Sequence, residues 1–173
     1  MRRPGDTAAF YGSLPAKRVA AGVLITDSMG RVLLVQPSYK PTWEIPGGVV
    51  EAGESPRGTA RRELREELGL EIGIGQLLVV DWVSPQPPRT EGLIFVYDGG
   101  TLDDLDARAI RLADPELNAY GFVDMEGAVG LTSERLERRI AAALRARRAG
   151  RTVELEDGRP TIARELSHEG AWS

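Results

Sequence analysis

One segment between Ser55 and Gly69 constrains the fold of this chain most strongly, because it carries both the start signal and the stop signal of a single helix. Ser55 is a suitable N-cap, Pro56 suits the first helical turn, and Gly69 stands where a left-handed C-cap residue belongs. Between these limits an apolar stripe recurs every four residues, at Ala60, Leu64 and Leu68. The sequence therefore predicts an amphipathic helix that seats this stripe on a hydrophobic core.

The same helix carries three carboxylates on a neighbouring face. Glu63, Glu66 and Glu67 are three and four residues apart, which places them within about 100° of one another around the helix. Like charges at this spacing destabilise an isolated helix by a few tenths of a kcal/mol per pair. Two interpretations are open at this point. Nearby arginines could neutralise a solvated face, or the face could bind a divalent cation such as Mg²⁺, which takes oxygen ligands and is usually shared with substrate phosphates.

Composition limits the chemistry that the rest of the chain can add. The 173 residues include no cysteine and one histidine, His168. Disulfides, Cys-ligated zinc and a thiol nucleophile are therefore excluded, and a His-rich metal site or a Ser–His triad is hard to build. A net charge of −4 argues against a protein that mainly grips duplex nucleic acid. No run has the length of a membrane span or a signal peptide, so a cytoplasmic protein without membrane partners is expected.

Short apolar runs on both sides of this helix predict β-strands. They lie at residues 19–26, 32–35, 77–83, 93–97 and 119–123. The first two are joined through residues 27–30 as a β-hairpin, and the proline-rich residues 84–88 separate the third from the fourth. A second amphipathic helix is expected at about residues 133–149. Its arginine-rich face is interpreted as an ordinary solvated surface rather than an RNA-binding one.

Three other segments carry their own expectations. Residues 46–48 (Pro-Gly-Gly) are expected to break any regular element, and the acidic residues 102–106 are expected to form a loop. The tail from residue 151 alternates apolar and polar residues before Asp157 and Gly158, which predicts one more hairpin or a docked arm. Strands interleaved with two helices indicate a mixed α/β sandwich.

Residues 48–70 resemble a known motif, the Nudix box. That pattern is a glycine, five residues, a glutamate, seven residues, and then Arg-Glu-U-x-Glu-Glu-x-Gly-U, where U is aliphatic. Every specified position is filled here, by Gly48, Glu54, Arg62, Glu63, Leu64, Glu66, Glu67, Gly69 and Leu70. The approach to the box, residues 43–48, is also similar to that family. The chain is therefore identified as a member of the Nudix hydrolase superfamily, as a MutT-like pyrophosphohydrolase.

The resemblance implies a fold and an activity. The fold would be α/β (α+β), a Nudix-type α/β/α sandwich around a mixed β-sheet. One domain would cover residues 1–173, with a core at about 17–149 and terminal arms at 1–16 and 150–173. The activity would be Mg²⁺-dependent hydrolysis of a diphosphate linkage in a nucleoside diphosphate derivative: an NTP, ADP-ribose or a sugar nucleotide. The alternative is a nucleotide-sensing domain that binds without hydrolysis, which a degenerate box would favour and this intact box does not. Isopentenyl diphosphate isomerisation is disfavoured because the enzymes it resembles use a cysteine.

The resemblance also implies roles for individual residues. Glu66 and Glu67 would be the principal ligands of Mg²⁺, or of Mn²⁺ in its place. Glu63 would be a further ligand or a base on the attacking water, and the backbone carbonyl of Gly48 would complete the metal site. Arg62 would pair with Glu54, hold the loop to the helix and orient Glu63. The catalytic set implied in this way is Glu54, Arg62, Glu63 and Glu67.

Other positions are candidates of lower specificity. Some family members use an extra acid from a loop before the last strand, and Glu116 is preferred here over Asp114, Asp103 and Asp104. Lys40 and Arg89 are candidates for contacts with substrate phosphates. A base could stack on one of four aromatic residues, although such residues more often belong to a core: Trp43, Trp82, Phe95 and Tyr97. In the family, a proline at this distance past the box goes with ADP-ribose-type substrates, so the resemblance implies a slight preference for ADP-ribose from Pro85. Many ADP-ribose enzymes of the family carry a long N-terminal domain that this sequence does not show, which would favour triphosphates. The expected partner is a small nucleotide, and no nucleic acid partner is expected. Family members are frequently homodimers, so the resemblance implies a homodimer.

Overall fold

A mixed β-sheet forms the centre of the molecule. The computed structural model describes residues 4–161, and it describes side chains from residue 7 onward. Residues 1–3 and 162–173, and with them His168, lie outside the described residues. The strands are β1 (Arg18–Asp27), β2 (Val32–Pro37), β3 (Gly47–Val49), β4 (Leu77–Val83), β5 (Gly92–Leu102), β6 (Leu117–Val123), β7 (Val153–Glu156) and β8 (Arg159–Pro160). The helices are α1 (Pro4–Gly12), α2 (Pro56–Leu68), α3 (Asp104–Ala109), α4 (Met125–Ala128) and α5 (Glu134–Ala149).

The strand order is β6-β2-β1-β5-β4-β7-β8, with β3 paired to β1 beside this path. β1 runs parallel to β5, β4 runs parallel to β7, and the other pairs are antiparallel. The five predicted strands are confirmed, and β4 has the predicted bounds. No helix in the described part of the chain combines the length and the hydrophobicity that a membrane span requires.

The predicted hairpin between β1 and β2 is confirmed, and the turn residues explain it. One carboxylate oxygen of Asp27 accepts hydrogen bonds from the backbone N–H groups of Met29 and Arg31, at 3.0 and 2.8 Å. Gly30 adopts φ +78°, which glycine reaches without steric cost. The turn therefore sets the register that pairs Thr26 with Val32.

The two long helices lie on opposite faces of the sheet, which confirms the α/β/α sandwich. Val23 and Ile25 of β1 pack with Leu64 of α2 in one buried cluster. Leu24 lies between them in the sequence and packs with Ile140 of α5 in the other cluster. Successive side chains of a strand point to opposite faces, so a continuous apolar run serves a sheet that is covered on both sides.

Two expectations about loops are wrong. Residues 46–48 do not interrupt the sheet, because Gly47 and Gly48 belong to β3 and pair with Gly22 and Ala21. Residues 102–106 are not a loop either, since β5 continues to Leu102 and α3 follows at once. Asp103 caps α3, and its carboxylate accepts the backbone N–H groups of the two residues that follow Asp104, at 2.8 Å each.

The described part of the predicted C-terminal arm, up to residue 161, extends the sheet. β7 pairs in parallel with β4, from Val79 opposite Val153 to Trp82 opposite Glu156. β8 then folds back on β7 as a hairpin, so the tail is both a hairpin and a docked segment. That residues 1–173 form one domain stays a prediction.

Candidate active site

An acidic cleft lies where β3, α2 and the segment before β6 meet. Its volume is about 260 Å³. The acidic side chains among the residues that line it are Glu44, Glu63, Glu67, Asp114 and Glu116. The backbone of Gly47 and Gly48 forms another part of the wall. The cleft therefore gathers carboxylates from segments that are far apart in the sequence.

Helix α2 supplies the central carboxylates at three different degrees of burial. The helix has the predicted caps: the hydroxyl of Ser55 accepts the N–H of Gly58 at 3.1 Å, and Gly69 has φ 65°. The side chain of Glu63 is 14% exposed and that of Glu66 is 48% exposed, while Glu67 retains 7% exposure. Glu63 and Glu67 line the cleft, and Glu66 lies outside its lining.

Arg62 connects the three acidic positions around it. Its Nη1 group donates to Glu63 at 2.8 Å and to Glu66 at 3.0 Å. Nε and Nη2 donate to the two carboxylate oxygens of Glu54 at 3.2 and 3.1 Å. Nη2 also reaches the carbonyl oxygen of Val49 at 3.3 Å. One guanidinium thus ties β3, the loop before α2 and the acidic face of α2 together, by the bidentate geometry that arginine favours.

Glu54 is held by a second donor that sequence reasoning missed. The hydroxyl of the fully buried Thr59 donates to Glu54 at 2.6 Å. Arg62 and then Thr59 hold the pKa of Glu54 at about 2, well below its usual range. The signal available in the sequence was a hydroxyl residue in the first turns of the helix, which by itself points to capping rather than to a partner.

The glycines of β3 allow the backbone to approach α2 closely. The N–H of Gly47 donates to Glu67 at 2.9 Å. A Cβ atom on Gly47, whose φ is +144°, would lie 2.2 Å from the carbonyl oxygen of Ala21. A Cβ atom on Gly48 would lie 2.1 Å from a carboxylate oxygen of Glu63. A side chain at Gly47 would therefore collide with backbone, whereas one at Gly48 would collide with the carboxylate of Glu63.

Burial raises the proton affinity of the two glutamates in the cleft. Desolvation raises the pKa of Glu67 to about 8, and the negative charges of Glu63 and Asp114 add to this effect against the hydrogen bond from Gly47. Desolvation also raises the pKa of Glu63, although Arg62 opposes it. These carboxylates are therefore costly to ionise unless a cation joins them.

The candidates for an extra acid lie in different places. Asp114 and Glu116 both line the cleft. Asp114 is half-buried, and its charge raises the pKa of Glu63 and Glu67, while Glu116 is exposed. Asp103 caps α3 and Asp104 begins it, and neither is among the residues that line the cleft.

The two basic candidates for substrate contacts do not line the acidic cleft. Lys40 forms an ion pair with Glu44 at its edge. Arg89 lines a second cavity, which also borders Glu44. The four aromatic candidates are absent from the described lining of both cavities, and Tyr97 instead packs in the core with Arg57 over its ring at 4.8 Å. The aromatic residue at the cleft is Tyr39, 70% exposed, which sequence reasoning missed because it stands in a turn.

The donors in the cleft suit a hard divalent cation. Carboxylate oxygens with a backbone carbonyl close by are the ligands that Mg²⁺ and Mn²⁺ accept. Gly48 lies directly against Glu63, and the buried Glu67 accepts a hydrogen bond from the backbone N–H of Gly47 but forms no ion pair within the described residues. Although five acidic residues line the cleft, no three acidic side chains within residues 4–161 lie close enough together to form a ready metal site, and Arg62 engages Glu63 and Glu66. Cation binding would therefore compete with Arg62.

The burial of Glu67 predicts a dependence of stability on pH in protein stripped of divalent cations. The folded state holds this proton up to about pH 8, whereas the unfolded chain releases it near 4.5. The folded state thus binds more protons between these values, so the free energy of unfolding falls as the pH rises through them. We expect Glu67→Gln to remove roughly 1 to 4 kcal/mol of this fall. Urea unfolding in EDTA at pH 5 and pH 8 measures the decrease in the free energy of unfolding. The same decrease in wild type and Glu67→Gln would contradict the burial of Glu67.

The fold and the site together define a class of protein: an α/β/α sandwich whose glycine-rich strand and acidic, arginine-braced helix form one cleft. A family model described as the NUDIX domain matches residues 16–144. The chain therefore belongs to the Nudix family. This confirms the identification made from the box.

Individual relatives agree with this assignment. The RNA pyrophosphohydrolase of Halorhodospira halophila is 42% identical over 122 residues, which cover 62% of this chain and 66% of that protein. The putative hydrolase 111R of Invertebrate iridescent virus 3 is 33% identical over 136 residues, 75% of this chain and 72% of that protein. Human diphosphoinositol polyphosphate phosphohydrolase 3-alpha is 34% identical over 95 residues, 54% and 57% of the two chains. The chain spans between 36% and 66% of the length of the first curated relatives it matches.

Solved structures share the fold. A UDP-X diphosphatase superposes with a TM-score of 0.67 at 19% identity, covering 89% of this chain and 76% of that one. The MutT protein of Methanosarcina mazei Go1 superposes with a TM-score of 0.62 at 23% identity, covering 80% and 99%. At these identities the likeness concerns the fold alone.

Proposed function

We propose that this chain hydrolyses a diphosphate linkage in a nucleoside diphosphate derivative, with Mg²⁺ or Mn²⁺ as its cofactor. The observation that carries the proposal is the cleft in which Glu63 and Glu67 face the backbone of Gly47 and Gly48. Buried carboxylates attract a divalent cation, and glycine backbone leaves room for a phosphate group beside it. No cysteine or histidine is needed for this chemistry.

Gly48 and the charged residues of the box each have a proposed role. Glu66, Glu67 and the carbonyl of Gly48 would hold the cation, which when bound stabilises charge on phosphate oxygens and acidifies water. Glu63 would be a further ligand or the group that accepts a proton from the attacking water, a role that its raised pKa favours. Arg62, fixed by Glu54, would orient Glu63.

An extra acid is proposed to contribute from the segment before β6. Glu116 remains a candidate, and the half-buried Asp114 is the stronger one, because its charge acts on both Glu63 and Glu67. We expect Asp114→Asn to lower kcat more than Glu116→Gln does. Steady-state kinetics of the two variants compares them, and the reverse order would return the role to Glu116.

The names of the relatives widen the set of candidate substrates. They share the cleavage of a pyrophosphate bond and differ in what carries it: RNA, a diphosphoinositol polyphosphate, a UDP derivative or ADP-ribose. The expectation that no nucleic acid is a partner stays untested, so RNA with a 5′-triphosphate belongs in the substrate panel. A homodimer and a cytoplasmic location also remain proposals, and light scattering of the purified protein tests the first.

A substrate panel with Mg²⁺ tests the proposed function. Purified protein would be incubated with ADP-ribose, NTPs, sugar nucleotides and 5′-triphosphorylated RNA, and product masses would identify the cleaved bond. Glu66→Gln is the inactive control, and Glu71→Gln, an exposed glutamate just beyond α2, is the matched active one. If the wild type cleaves nothing above the Glu66→Gln background yet binds nucleotide, the sensing alternative replaces hydrolysis.

The two glycines of β3 predict a contrast between stability and activity. Gly47→Ala forces a Cβ onto the backbone of Ala21 at a positive φ, and we expect it to lower the free energy of unfolding by about 2 kcal/mol or more. Gly48→Ala meets only the carboxyl group at the end of the Glu63 side chain and no backbone, so we expect it to spare stability but displace that carboxylate. Its activity should fall roughly tenfold to hundredfold. Denaturation and kinetics on both variants test this, and equal effects on stability would contradict it.

A further inference from the structure

A second cavity adjoins the acidic cleft and has the opposite character. Its volume is about 190 Å³, and it shares Glu44 and Val49 with the cleft, so these two residues form the partition between them. Four arginines from three separate segments line it: Arg18 of β1, Arg89 of the loop between β4 and β5, and Arg135 and Arg139 of α5. We call this cavity the arginine pocket.

Two of these arginines are fixed in place by carboxylates. Arg139 is buried, with 7% of its side chain exposed, and its Nε and Nη2 groups lie 2.8 and 2.6 Å from the same oxygen of Asp81. Its Nη2 group is nevertheless buried without a well-oriented hydrogen-bond acceptor. Arg135 lies 3.2 Å from Asp157. One wall of the pocket is thus cationic, and carboxylates hold its two arginines in place.

The other two arginines carry charge that no carboxylate in the described chain balances. Arg18 donates to the backbone carbonyl of Thr90. Arg89 forms no ion pair within residues 4–161, and the turn that holds it is closed by reciprocal backbone hydrogen bonds with Gln86, at 3.0 and 2.8 Å. The acid of the partition, Glu44, is already paired with Lys40. The pocket therefore carries an excess of positive charge.

The lining argues against a nucleobase as the occupant. None of the described residues around the pocket is aromatic, so a base would find no ring to stack on. The N-cap of α5, Ser133, is part of the wall, and the start of this 16-residue helix adds partial positive charge. Guanidinium groups and a helix N-terminus together favour a phosphate group.

We infer that the arginine pocket binds a second anionic group of the substrate, a phosphate remote from the linkage that is cleaved. This inference rests on the proposed function, because the acidic cleft must hold the diphosphate on the other side of Glu44 and Val49. Preferred substrates are then diphosphate compounds that carry an additional phosphate monoester or diester. Neutral sugar or base extensions gain nothing from this pocket.

Matched pairs of compounds that differ by one remote phosphate test the inference. Suitable pairs are NADPH with NADH, coenzyme A with dephospho-coenzyme A, and ATP that carries a 3′-phosphate monoester with ATP itself. We expect kcat/KM to favour the phosphorylated member of at least one pair roughly tenfold, as a charge-assisted contact would. The preference should shrink as salt rises. The absence of a preference in all three pairs would overturn the inference.

Arginine variants assign the preference to this pocket. Arg89→Ala should reduce the ratio of kcat/KM within the responsive pair to less than threefold, and Arg89→Glu should abolish or invert it. Arg145→Ala removes an exposed arginine of α5 that has no ion-pair partner among residues 4–161, and it should keep the full ratio. Equal ratios in Arg89→Ala and wild type would contradict the assignment.

Binding measured without turnover separates this inference from the proposed function. Titration calorimetry of the same pairs in EDTA reports the preference even if no compound is cleaved. Hydrolysis without a phosphate preference would overturn the arginine pocket and leave the proposed function standing. A preference in binding that Arg89→Ala removes, without any hydrolysis, would support the pocket and overturn hydrolysis.

Discussion

Glu67→Gln is expected to lower kcat by about a hundredfold to a thousandfold while the protein stays folded. Glutamine keeps the shape of the side chain and can still accept the N–H of Gly47, so the packing of α2 on β3 is preserved. What is lost is a buried negative charge that the bound cation would balance. A preorganised charge at a water-poor site contributes several kcal/mol to stabilising the transition state.

Steady-state kinetics with the best substrate of the panel measures this effect across a range of Mg²⁺ concentrations. A weakened metal site should need more Mg²⁺ for half-maximal rate, whereas a loss of base catalysis alone should not change that requirement. Glu71→Gln controls for the removal of one charge near the end of the same helix. If Glu67→Gln retained more than half of the wild-type rate, the proposed role of Glu67 as a ligand of the cation would be contradicted.

The second large effect is on stability and concerns a buried ion pair away from the cleft. Asp81 is fully buried on β4; one oxygen faces Arg139 of α5, and the other accepts the N–H of Gly158 at 3.0 Å. We expect Asp81→Ala to lower the free energy of unfolding by about 3 to 5 kcal/mol, because it leaves the guanidinium buried without a counter-charge. The same carboxylate joins β4, α5 and the turn between β7 and β8.

Urea denaturation followed by circular dichroism measures this loss. Glu134→Ala breaks the exposed pair with Arg138 and should cost less than about 1 kcal/mol. The double variant Asp81→Leu with Arg139→Met removes both charges, and it should recover most of the stability, since buried pairs are often replaceable by apolar residues. A loss below 1 kcal/mol for Asp81→Ala would show that the pair is solvated in solution.

Much of the fold could be predicted from the sequence where the signal is local. The caps at Ser55 and Gly69 define α2 to the residue, and the apolar run at residues 77–83 gives β4 its bounds. The expectations failed where a local signal had a long-range answer. Gly47 looks like a strand breaker, yet the close approach of Ala21 requires a glycine inside a strand. Asp103 is a different case, because its contact is local: the residues around it were expected to form a loop, yet its carboxylate caps a short helix.

In the candidate site, too, some residues could be predicted from local spacing and others depend on long-range contacts. The box residues were identifiable because their spacing is fixed by one helix and one loop. The placement of Asp114 near Glu63 and Glu67 could not be identified from the sequence, because it depends on how the segment before β6 folds back on α2. Aromatic content suggested a stacking platform, but the folded chain commits Tyr97 to the core and leaves arginines around the second cavity.

By itself, the order of amino acids determined that one helix would present three acids on a common face, and that the family would be Nudix. The shared face follows because helical periodicity and capping act between residues only a few positions apart, and the family follows from the resemblance of residues 48–70 to the Nudix box. Only the tertiary structure decided how deeply each of those acids is buried, that Arg62 braces them, and that Arg89 and Arg139 line one pocket. Burial and charge pairing depend on chain segments that meet in space, and a linear sequence does not state those distances.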